Sequence, residues 1–310
     1  MQIMGKESIE FRYYEIPSDL PLIALLGEEW IRMYGNDDMH FHNCLEIGYC
    51  YYGQGNMYFG KKGELYGPGC ITIIPKNFPH HTCQTDERPN RWEYLFVDLE
   101  RFIKYAFPDK VKYANLLEER LNSNMFLIPG GKEPELEILM KLLLDEMRKK
   151  EKFYKPCTEA LLQAFLLQVA RYEGNSRQNQ EMVSEIADYG VVLKVLNYIE
   201  NHYMEDFTMK ELAAMFHMST ANFRRKFHDC MHAAPIEYVT LVRIEKACEL
   251  LETTEERVEE IALKVGYHAS ATFIRNFKKL TGYSPLQWRK MIKQRENNLL
   301  QYNISILRGW

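Results

Sequence analysis

Short apolar and aromatic runs separated by glycine and proline turns fill the first hundred or so residues. The runs over 45–52, 71–74 and 92–99 are rich in leucine, isoleucine, tyrosine and phenylalanine, and Gly69 and Pro75 bound the middle run. Short strands spaced by such turns are typical of a β-sandwich or a small barrel. The pattern therefore predicts an all-β domain at the N-terminus.

Helical periodicity replaces this pattern after residue 134. Leucines and methionines recur at helical spacing over 135–152, and a second stripe of this kind follows Pro156 and continues to about residue 171. The spacing predicts two amphipathic helices, which we expect to form an antiparallel pair. Three partners are open to their apolar faces, namely the β-domain, each other and a second subunit.

A polar segment, GNSRQNQ, follows over 174–180. Its glycine, asparagine and serine content predicts a linker. Beyond it, helical patterns continue to about residue 295, which predicts a second domain built from helices alone.

This C-terminal part contains an internal repeat with an offset of fifty residues. The matching pairs are Phe223 and Phe273, Arg225 and Arg275, Phe227 and Phe277, Pro235 and Pro285, and Tyr238 and Trp288. Each copy predicts a helix, a turn and a second helix. A capping box of Thr208 and Glu211 starts the first copy, and its turn falls at His217 and Met218. In the second copy Gly266 supplies the turn.

The second helix of each copy separates an aromatic stripe from a polar face. At about 100° per residue, Phe223 and Phe227 lie opposite Arg225, and Arg275 points outward in the same way in the other copy. Small and polar neighbours around an outward arginine suit a helix in the major groove, where arginine can bind guanine through two hydrogen bonds. The alternative is a solvated face above an aromatic core; two matching arginines favour the major-groove interpretation.

Residues from about 191 to 289 resemble the DNA-binding module of the AraC/XylS family of bacterial transcription regulators. The family has two helix-turn-helix units joined by a long helix with the signature R-x-x-x-A-x-x-L-L, matched here by Arg243, Ala247, Leu250 and Leu251. Its second unit reads I-A-x-x-V-G-[FY] and then F-x-R-x-F-K-K-x-x-G-x-S-P. The matching residues are Ile261, Ala262, Val265, Gly266, Tyr267, Phe273, Arg275, Phe277, Lys278, Lys279, Gly282, Ser284 and Pro285.

The resemblance implies that two recognition helices face base edges in successive segments of the major groove. The candidate DNA-binding residues are Ala221, Asn222, Arg224 and Arg225 in the first unit and Ser270, Ala271, Thr272 and Arg275 in the second. The first unit departs from the pattern, because His232 and Ala234 stand where the second has Gly282 and Ser284. His232 is therefore expected to adopt a turn conformation that favours glycine.

A second group of polar residues lies in the N-terminal domain. His40, His42 and Glu46 have the same parity, so they converge if they lie on one continuous strand. The spacings H-x-H-x-x-x-E-x6-G and G-x5-P-x-N-x-x-H, the latter ending at His80, resemble the two motifs of the cupins, whose small barrel ends in an open pocket. Asn77 stands where the family has glycine. The candidate ligand-binding residues are His40, His42, Glu46 and His80.

Three interpretations of this histidine group stay open. The cupin resemblance implies that enzymes of that family bind a divalent metal such as Fe, Mn, Ni or Zn at these positions. In AraC-type regulators the same strand commonly contacts an effector without metal, and the third interpretation is buried packing. We favour effector contact, so neither a metal nor a cofactor is predicted. A sugar is the expected effector, with Tyr52, Trp92 and Tyr94 as candidate stacking surfaces.

Composition and charge further restrict the class of protein and its expected location. The formal net charge is −4, but residues 186–295 carry +2 and the remainder carries −6, which is the asymmetry expected if the C-terminal half contacts a polyanion. The 7 cysteines include no C-x-x-C pair, so neither a disulfide framework nor a zinc ribbon is predicted. No apolar run reaches the roughly 18 residues of a membrane helix, and no signal peptide is visible. We therefore expect a cytoplasmic protein.

The sequence thus predicts a multidomain protein. The domains are a cupin-like effector-binding barrel over 1–130, a helical dimerisation segment over 131–173, a linker over 174–185 and an all-α double helix-turn-helix domain over 186–295. We expect an effector-responsive transcription regulator, not an enzyme, that reads a bipartite site. Its expected partners are double-stranded operator DNA, a small molecule such as a carbohydrate, a second copy in a homodimer and, as a further candidate, RNA polymerase. The alternative is a metal-dependent cupin enzyme fused to a DNA-targeting module.

Overall fold

The computed structural model divides into two compact units, Tyr14–Asn175 and Ser176–Trp310, the latter taken together with Met1–Tyr13. We call the first the β-unit and the second the helical unit. The described residues are 10–14, 16–17, 19–27, 31–32, 39–59, 62–85, 89–122, 124–173, 187–231, 233–295 and 304–307. The predicted linker over 174–185 and His232 both lie outside these described residues.

Twelve strands occur among the described residues, most of them in the β-unit. They are β1 (Glu10–Tyr14), β2 (Leu22–Leu25), β3 (Ile31–Arg32), β4 (His40–His42), β5 (Leu45–Tyr52), β6 (Gly55–Phe59), β7 (Lys62–Tyr66), β8 (Ile71–Ile74), β9 (His80–Gln84), β10 (Asn90–Val97), β11 (Phe126–Ile128) and β12 (Ile304–Leu307). In the β-unit one sheet has the order β4-β9-β6-β7, and the other has the order β11-β8-β5-β10-β2 with β3 also paired to β10. The predicted N-terminal β-fold is confirmed.

Four helices complete the β-unit: α1 (Leu99–Ala106), α2 (Val111–Asn122), α3 (Pro134–Lys149) and α4 (Tyr154–Arg171). The predicted pair corresponds to α3 and α4, which pack against each other. Their buried side chains join one core with those of α1, α2 and the second sheet. Of the three partners considered for the apolar faces, the sheet and the neighbouring helix therefore cover the buried stripe. The sequence pattern had not indicated α1 and α2.

The alternation of side chains along β5 gives this strand two different faces. Leu45, Ile47 and Tyr49 belong to the core shared with the helices. Glu46, which lies between them, is buried on the opposite face, 3.3 Å from His42 of the other sheet. One strand therefore contributes both to the helix-covered core and to the space between the two sheets.

Polar side chains also join this core to α3. The hydroxyl of Tyr49 donates to Glu137 at 2.9 Å, and the hydroxyl of Tyr51 donates to the buried carboxylate of Glu93 at 2.7 Å. Arg148 donates to the same carboxylate at 2.7 Å, as does the backbone N–H of Gly27 at 2.9 Å. Glu93 is fully buried on β10, so these donors compensate a charge that has left water.

Burial alone would raise the pKa of Glu93, but the hydrogen bonds from Tyr51 and Gly27 and the ion pair with Arg148 outweigh it and lower the pKa. Burial and the neighbouring carboxylate raise the pKa of Tyr51 to about 12. The cluster therefore holds an ionised glutamate and a neutral tyrosine at neutral pH.

The helical unit contains α5 (Ala187–His202), α6 (Met209–Met215), α7 (Thr220–Met231), α8 (Pro235–Thr253), α9 (Val258–Lys264), α10 (Ser270–Thr281) and α11 (Pro285–Arg295). The order matches two helix-turn-helix units joined by α8. The predicted capping box is present, because Thr208 Oγ1 accepts from the N–H of Glu211 at 3.2 Å and the Glu211 side chain accepts from the N–H of Thr208 at 2.9 Å. The predicted repeat is thus a repeat of structure.

The two copies share the same buried aromatic contacts. Phe227 meets Tyr238 edge-on at 6.1 Å between ring centroids, and Phe277 meets Trp288 edge-on at 6.0 Å. In each pair a ring from the second helix packs on a ring from the helix that follows. The aligned residues therefore fix the position of each second helix through equivalent contacts.

The two copies also share a left-handed turn. The turn residue that follows the first helix is His217 at φ 54° in one copy and Gly266 at φ 85° in the other. In each turn the next backbone N–H donates to the carbonyl five residues earlier, at 2.9 Å in both. This is a Schellman helix end. The second turn is one residue longer, since α10 begins four residues after Gly266 and α7 begins three residues after His217.

Arg243 of the family signature has a structural position. Its Nε donates to the carbonyl of Tyr203 at 2.7 Å and its Nη2 to that of Glu205 at 2.8 Å. The guanidinium also lies 5.5 Å from the ring centroid of Tyr267. Arg243 therefore joins α8 to the chain that follows α5 and to the second turn, away from the faces predicted to meet DNA.

We expect His217→Gly to stabilise the helical unit by about 1 kcal/mol, because glycine adopts positive φ without the penalty of a Cβ atom. The matched change Gly266→Ala should destabilise it, since the new Cβ would lie 2.9 Å from the Met204 carbonyl oxygen and 3.0 Å from the Arg243 guanidinium. Urea unfolding followed by circular dichroism measures both changes. An unaltered midpoint for His217→Gly would contradict a strained turn.

We expect Glu93→Gln to destabilise the β-unit at pH 7 by about 1–2 kcal/mol, because Arg148 loses its buried counter-charge. The folded-state pKa of Glu93 is lowered, so its contribution is present above the unfolded value of about 4.5 and is lost as the pH falls further. The difference between variant and native protein should therefore shrink below pH 4.5. Urea unfolding at several pH values checks this, with the exposed Glu135→Gln as control; a constant difference would argue against an ionised Glu93.

Candidate functional site

The outward faces of α7 and α10 are the first candidate site. Buried, half-buried and exposed side chains follow one another in the same order along residues 221–229 of α7 and residues 271–279 of α10. We call this shared sequence the burial order. Phe223, Phe227, Phe273 and Phe277 are each at most 2 % exposed, whereas Arg225 and Arg275 are exposed. The predicted division into an aromatic inner stripe and a cationic outer face therefore holds for both helices.

The remaining candidate DNA-binding residues lie on or beside this outer face. Ala221, Arg224 and Ala271 are exposed, whereas Asn222, Ser270 and Thr272 are half-buried near the helix starts. The structure thus places all eight candidate residues in the first two turns of α7 and α10. The N-terminal part of a recognition helix is the part that usually contacts base edges.

One hydrogen bond distinguishes the two outer faces. Arg225 Nη2 donates to the Asn222 side-chain oxygen at 3.0 Å, and Ser219 Oγ accepts from the Asn222 N–H at 3.3 Å. The α10 counterpart of Asn222 is Thr272, which has no amide oxygen. Arg225 is therefore held against its own helix by the amide of Asn222.

The ends of the two recognition helices differ as the sequence indicated. Gly282 closes α10 at φ 79°, and Ser284 then forms a reciprocal cap with Gln287, at 2.9 and 3.3 Å. In the first unit Ala234 has no hydroxyl, and only the Glu237 carboxylate accepts from the Ala234 N–H, at 2.7 Å. Half of the cap is therefore retained before α8.

The histidine group of the β-unit is the second candidate site. His40, His42, Glu46 and His80 are all at most 4 % exposed. His40 pairs directly with His80 across β4 and β9, and the two rings lie 4.2 Å apart. The structure therefore brings together all four residues selected from the sequence.

The route by which they converge differs from the prediction. The chain bends at residues 43–44, so β4 and β5 are separate strands that belong to different sheets. Glu46 Oε2 reaches across to His42 Nε2 at 3.3 Å and to His80 Nε2 at 3.8 Å. The residues meet because the two sheets face each other, not because they share one strand.

Backbone carbonyls orient two of the rings. His42 Nδ1 lies 2.8 Å from the Cys44 carbonyl oxygen, and His80 Nδ1 lies 2.8 Å from that of Phe78. A carbonyl can only accept, so each Nδ1 carries the hydrogen and each Nε2 is directed at Glu46. The Nε2 of His42 has no well-aligned hydrogen bond among the described residues, despite its 3.3 Å contact with Glu46.

Burial lowers the pKa of His42, although the contact with Glu46 opposes this change. Burial would raise the pKa of Glu46, but the neighbouring imidazoles of His42 and His80 hold it well below the usual value. The carboxylate is therefore ionised in the folded protein at neutral pH.

The turn before His80 accommodates the departure from the cupin pattern. Asn77 has φ 61° and donates its backbone N–H to the His42 carbonyl at 2.8 Å. Asparagine adopts the left-handed region more readily than most residues. Asn77 therefore takes the conformation for which the motif has glycine, and it connects this turn to β4.

Neighbouring residues complete the description of this centre. The ring of His81 stacks on Tyr58 at 4.9 Å, and because adjacent side chains on a strand alternate, His81 points away from His80. Phe96 of β10 contacts His42 at 5.6 Å and stacks on Tyr14 at 3.6 Å. The sequence analysis did not select Tyr14 or Phe96. Phe96 lies on the same face of its strand as Trp92 and Tyr94, which were selected.

The three aromatic residues considered for stacking a sugar have different environments. Trp92 is buried and lies parallel to Tyr94 at 5.9 Å, and Tyr94 is half-buried. Gly48 faces both, since a Cβ there would lie 3.2 Å from Tyr94 Cε1 and 3.3 Å from Trp92 Cε3. Tyr52 is 39 % exposed at the end of β5. Trp92 and Tyr94 thus form one aromatic wall, and Tyr52 lies apart from it.

His40, Glu46 and His80 also form a set that could hold a metal ion. One ligand atom from each lies within 4.8 Å of the others. Two imidazoles and a carboxylate suit Fe, Mn, Ni or Zn, and the carbonyl contact at His80 Nδ1 is the kind that orients metal-binding histidines. The donor set therefore fits a divalent cation.

Two protein-family models match the chain. A helix-turn-helix domain model covers residues 212–291, and an AraC-like ligand-binding domain model covers residues 24–106. The chain is thus of the class in which a ligand-binding domain precedes a helix-turn-helix domain. Residues 24–106 are thus similar to AraC-like ligand-binding domains, and residues 212–291 are similar to helix-turn-helix domains.

Curated relatives support the same class. The HTH-type transcriptional regulator YdeC of Bacillus subtilis is 32 % identical over 98 residues, which are 32 % of this chain and 34 % of that protein. An HTH-type transcriptional regulator of Haemophilus influenzae is 30 % identical over 158 residues, which are 50 % of this chain and 52 % of that protein. The chain spans about half or less of the length of these relatives. Both relatives are named as HTH-type transcriptional regulators.

The chain is similar to one solved structure over about a third of its length and to another over most of its length. The DNA-binding domain of AdpA in complex with a target DNA is 28 % identical and covers 34 % of this chain and 96 % of that chain, with a TM-score of 0.33. Fatty-acid-bound ToxT from Vibrio cholerae is 10 % identical and covers 89 % of this chain and 95 % of that chain, with a TM-score of 0.42. Within the described residues, no helix has the length and apolar character needed to cross a lipid bilayer.

Proposed function

We propose that this protein is an effector-responsive transcription regulator that reads a bipartite DNA site with α7 and α10. The matched burial of the two helices, with Arg225 and Arg275 outermost, is the observation that carries the proposal. Such helices fit the major groove, where arginine binds guanine through two hydrogen bonds and small residues permit close approach. DNA as the partner also makes the cytoplasm the expected location.

The test begins with selection of bound duplexes from fragmented DNA of the source organism, using the full-length protein. A recurring bipartite sequence is the expected result. Absence of enrichment even at low salt, where phosphate contacts are strongest, would count against DNA recognition.

Arg275→Ala should then weaken binding to the selected site by about 1–3 kcal/mol and relax the sequence preference at one or two base pairs. The measurement is a competition assay against single-base variants of the site. Arg257→Ala removes the same charge from an exposed position outside α7 and α10 and serves as the control. A loss that is uniform over all sequences would make Arg275 a phosphate contact and would contradict base reading.

For the β-unit, we propose that the histidine group and the aromatic wall of Trp92 and Tyr94 bind a sugar or a related small molecule. Hydroxyl groups suit imidazole and carboxylate partners, and the face of a sugar ring suits an aromatic surface. Because the four polar residues are at most 4 % exposed, entry of the effector requires covering side chains to move. Tyr14 and Phe96, which pack beside His42, are suitably placed.

Metal-assisted binding is the second candidate for this centre. If both rings are neutral, each Nε2 presents a lone pair to the Glu46 carboxylate, because each Nδ1 already donates to a carbonyl. Atoms that only accept do not attract one another, so a proton or a cation between them would stabilise the arrangement. A bound cation would supply a Lewis-acidic anchor for effector oxygens.

Protein freed of metal by chelation, and then supplied with Co²⁺ or with a panel of monosaccharides, separates the two candidates. Under the effector proposal, a sugar raises the melting temperature without metal, and this shift is lost in His80→Gln but kept in His81→Gln, whose side chain points away. One equivalent of Co²⁺ retained by the native protein and lost in His80→Gln would favour the metal instead. Neither a sugar shift nor bound Co²⁺ would leave these histidines as packing residues.

Dimerisation through the helix pair is also proposed. Ile138 and Leu142 lie one helical turn apart on α3 and are 58 % and 48 % exposed, so they form an apolar strip outside the buried stripe. A second copy can cover this strip. Sedimentation of the native protein and of Leu142→Glu would report whether it does. RNA polymerase stays a candidate partner to which no residue is assigned.

A further inference from the structure

We propose that Ile274 is a specificity-determining residue that contacts the C5 methyl group of a thymine in the DNA segment facing α10. The inference rests on the proposed function, because it requires α10 to lie in the major groove. It adds a base preference of a different kind from the guanine contact proposed for Arg275.

The position of Ile274 comes from the repeat. Its counterpart fifty residues earlier is Arg224, which is exposed at the edge of the outer face of α7. Ile274 is 39 % exposed and occupies the same place in the shared burial order. Ile274 therefore lies on the exposed side of α10, next to Arg275. Thr272 is half a helical turn away from it.

The fold gains less from Ile274 than from the fully buried side chains of α10. A side chain with this exposure contributes only part of its burial energy, and a β-branched residue is a weaker helix former than the arginine found in the first copy. The buried stripe of α10 is supplied by Phe273, Phe277 and Leu280. Folding alone therefore does not account for a large apolar group among the polar residues of this face.

Major-groove chemistry does account for it. Among the four bases only thymine carries a methyl group in that groove, and apolar side chains are its matching partners. The outer face of α10 carries Ala271, the Thr272 methyl group and Ile274, whereas α7 presents Ala221, Asn222 and Arg224 at the corresponding positions. The two halves of the site are accordingly read by different chemistry, hydrogen bonding by α7 and methyl contact together with one arginine by α10.

The experiment uses full-length protein and the site obtained by selection. Each thymine in that site is replaced in turn by deoxyuridine, which removes the methyl group and keeps base pairing. At one position in the α10 half, the replacement should weaken native binding about 3- to 10-fold, the range for one or two methyl groups leaving an apolar contact. Ile274→Ala should weaken binding to the unmodified site by a similar factor.

The double-mutant cycle gives the decision. Ile274→Ala should no longer respond to deoxyuridine at that position, and Ile274→Arg should shift the preference there towards guanine, as its α7 counterpart predicts. Leu65→Ala removes an apolar side chain that is 74 % exposed in the β-unit and should leave all affinities unchanged. If Ile274→Ala keeps the full response to the methyl group, or binds as tightly as the native protein, the assignment is wrong.

Failure of the inference can be told apart from failure of the proposed function. A native protein that selects a bipartite site but shows no methyl dependence in the α10 half overturns the role of Ile274 alone. A native protein that selects no sequence overturns DNA reading, and the role of Ile274 with it.

Discussion

The alternation of side chains along β5 is the constraint on which both faces of the β-unit depend. It directs Glu46 towards His42 and His80 and directs Tyr49 and Tyr51 towards residues that α3 also contacts. A shift of one residue in register would exchange the two faces and place the charge of Glu46 in the apolar core. The polar centre between the sheets and the helix pair outside them are therefore coupled through a single strand. A rearrangement at the centre acts on this strand and through it on the helix pair.

Features set by neighbouring residues could be predicted from the sequence. The β-rich start, the pair α3 and α4 and both helix-turn-helix units follow from periodicity, capping and turn residues, all of which act within a few positions. The repeat strengthened the prediction because Arg225 and Arg275 fell at equivalent places twice. Helix α2 was not predicted, because its apolar residues Val111 and Leu116 are more than 60 % exposed. They interrupt the single buried stripe that a periodicity analysis detects.

Features set by distant residues could not be predicted in the same way. His40, His42 and Glu46 were selected by parity, yet they converge through the facing of two sheets, which no local pattern encodes. Glu93 looked like one charge in an apolar strand, and its partner Arg148 lies 55 residues away on α3. Tyr14 and Phe96, which cover His42, carried no signal beyond aromatic character. In each case the sequence supplies the chemical group and the tertiary fold supplies its partner.

The shared burial order of α7 and α10 has a consequence for how such a protein can change over time. The aromatic residues that fix each helix are buried, whereas Arg224 and Ile274, which differ between the copies, are exposed. Substitutions at exposed positions usually alter stability by less than about 0.5 kcal/mol. Duplicated halves can therefore diverge at the surface while their scaffolds stay the same, so each half can acquire a new target sequence without endangering the fold or the specificity of the other.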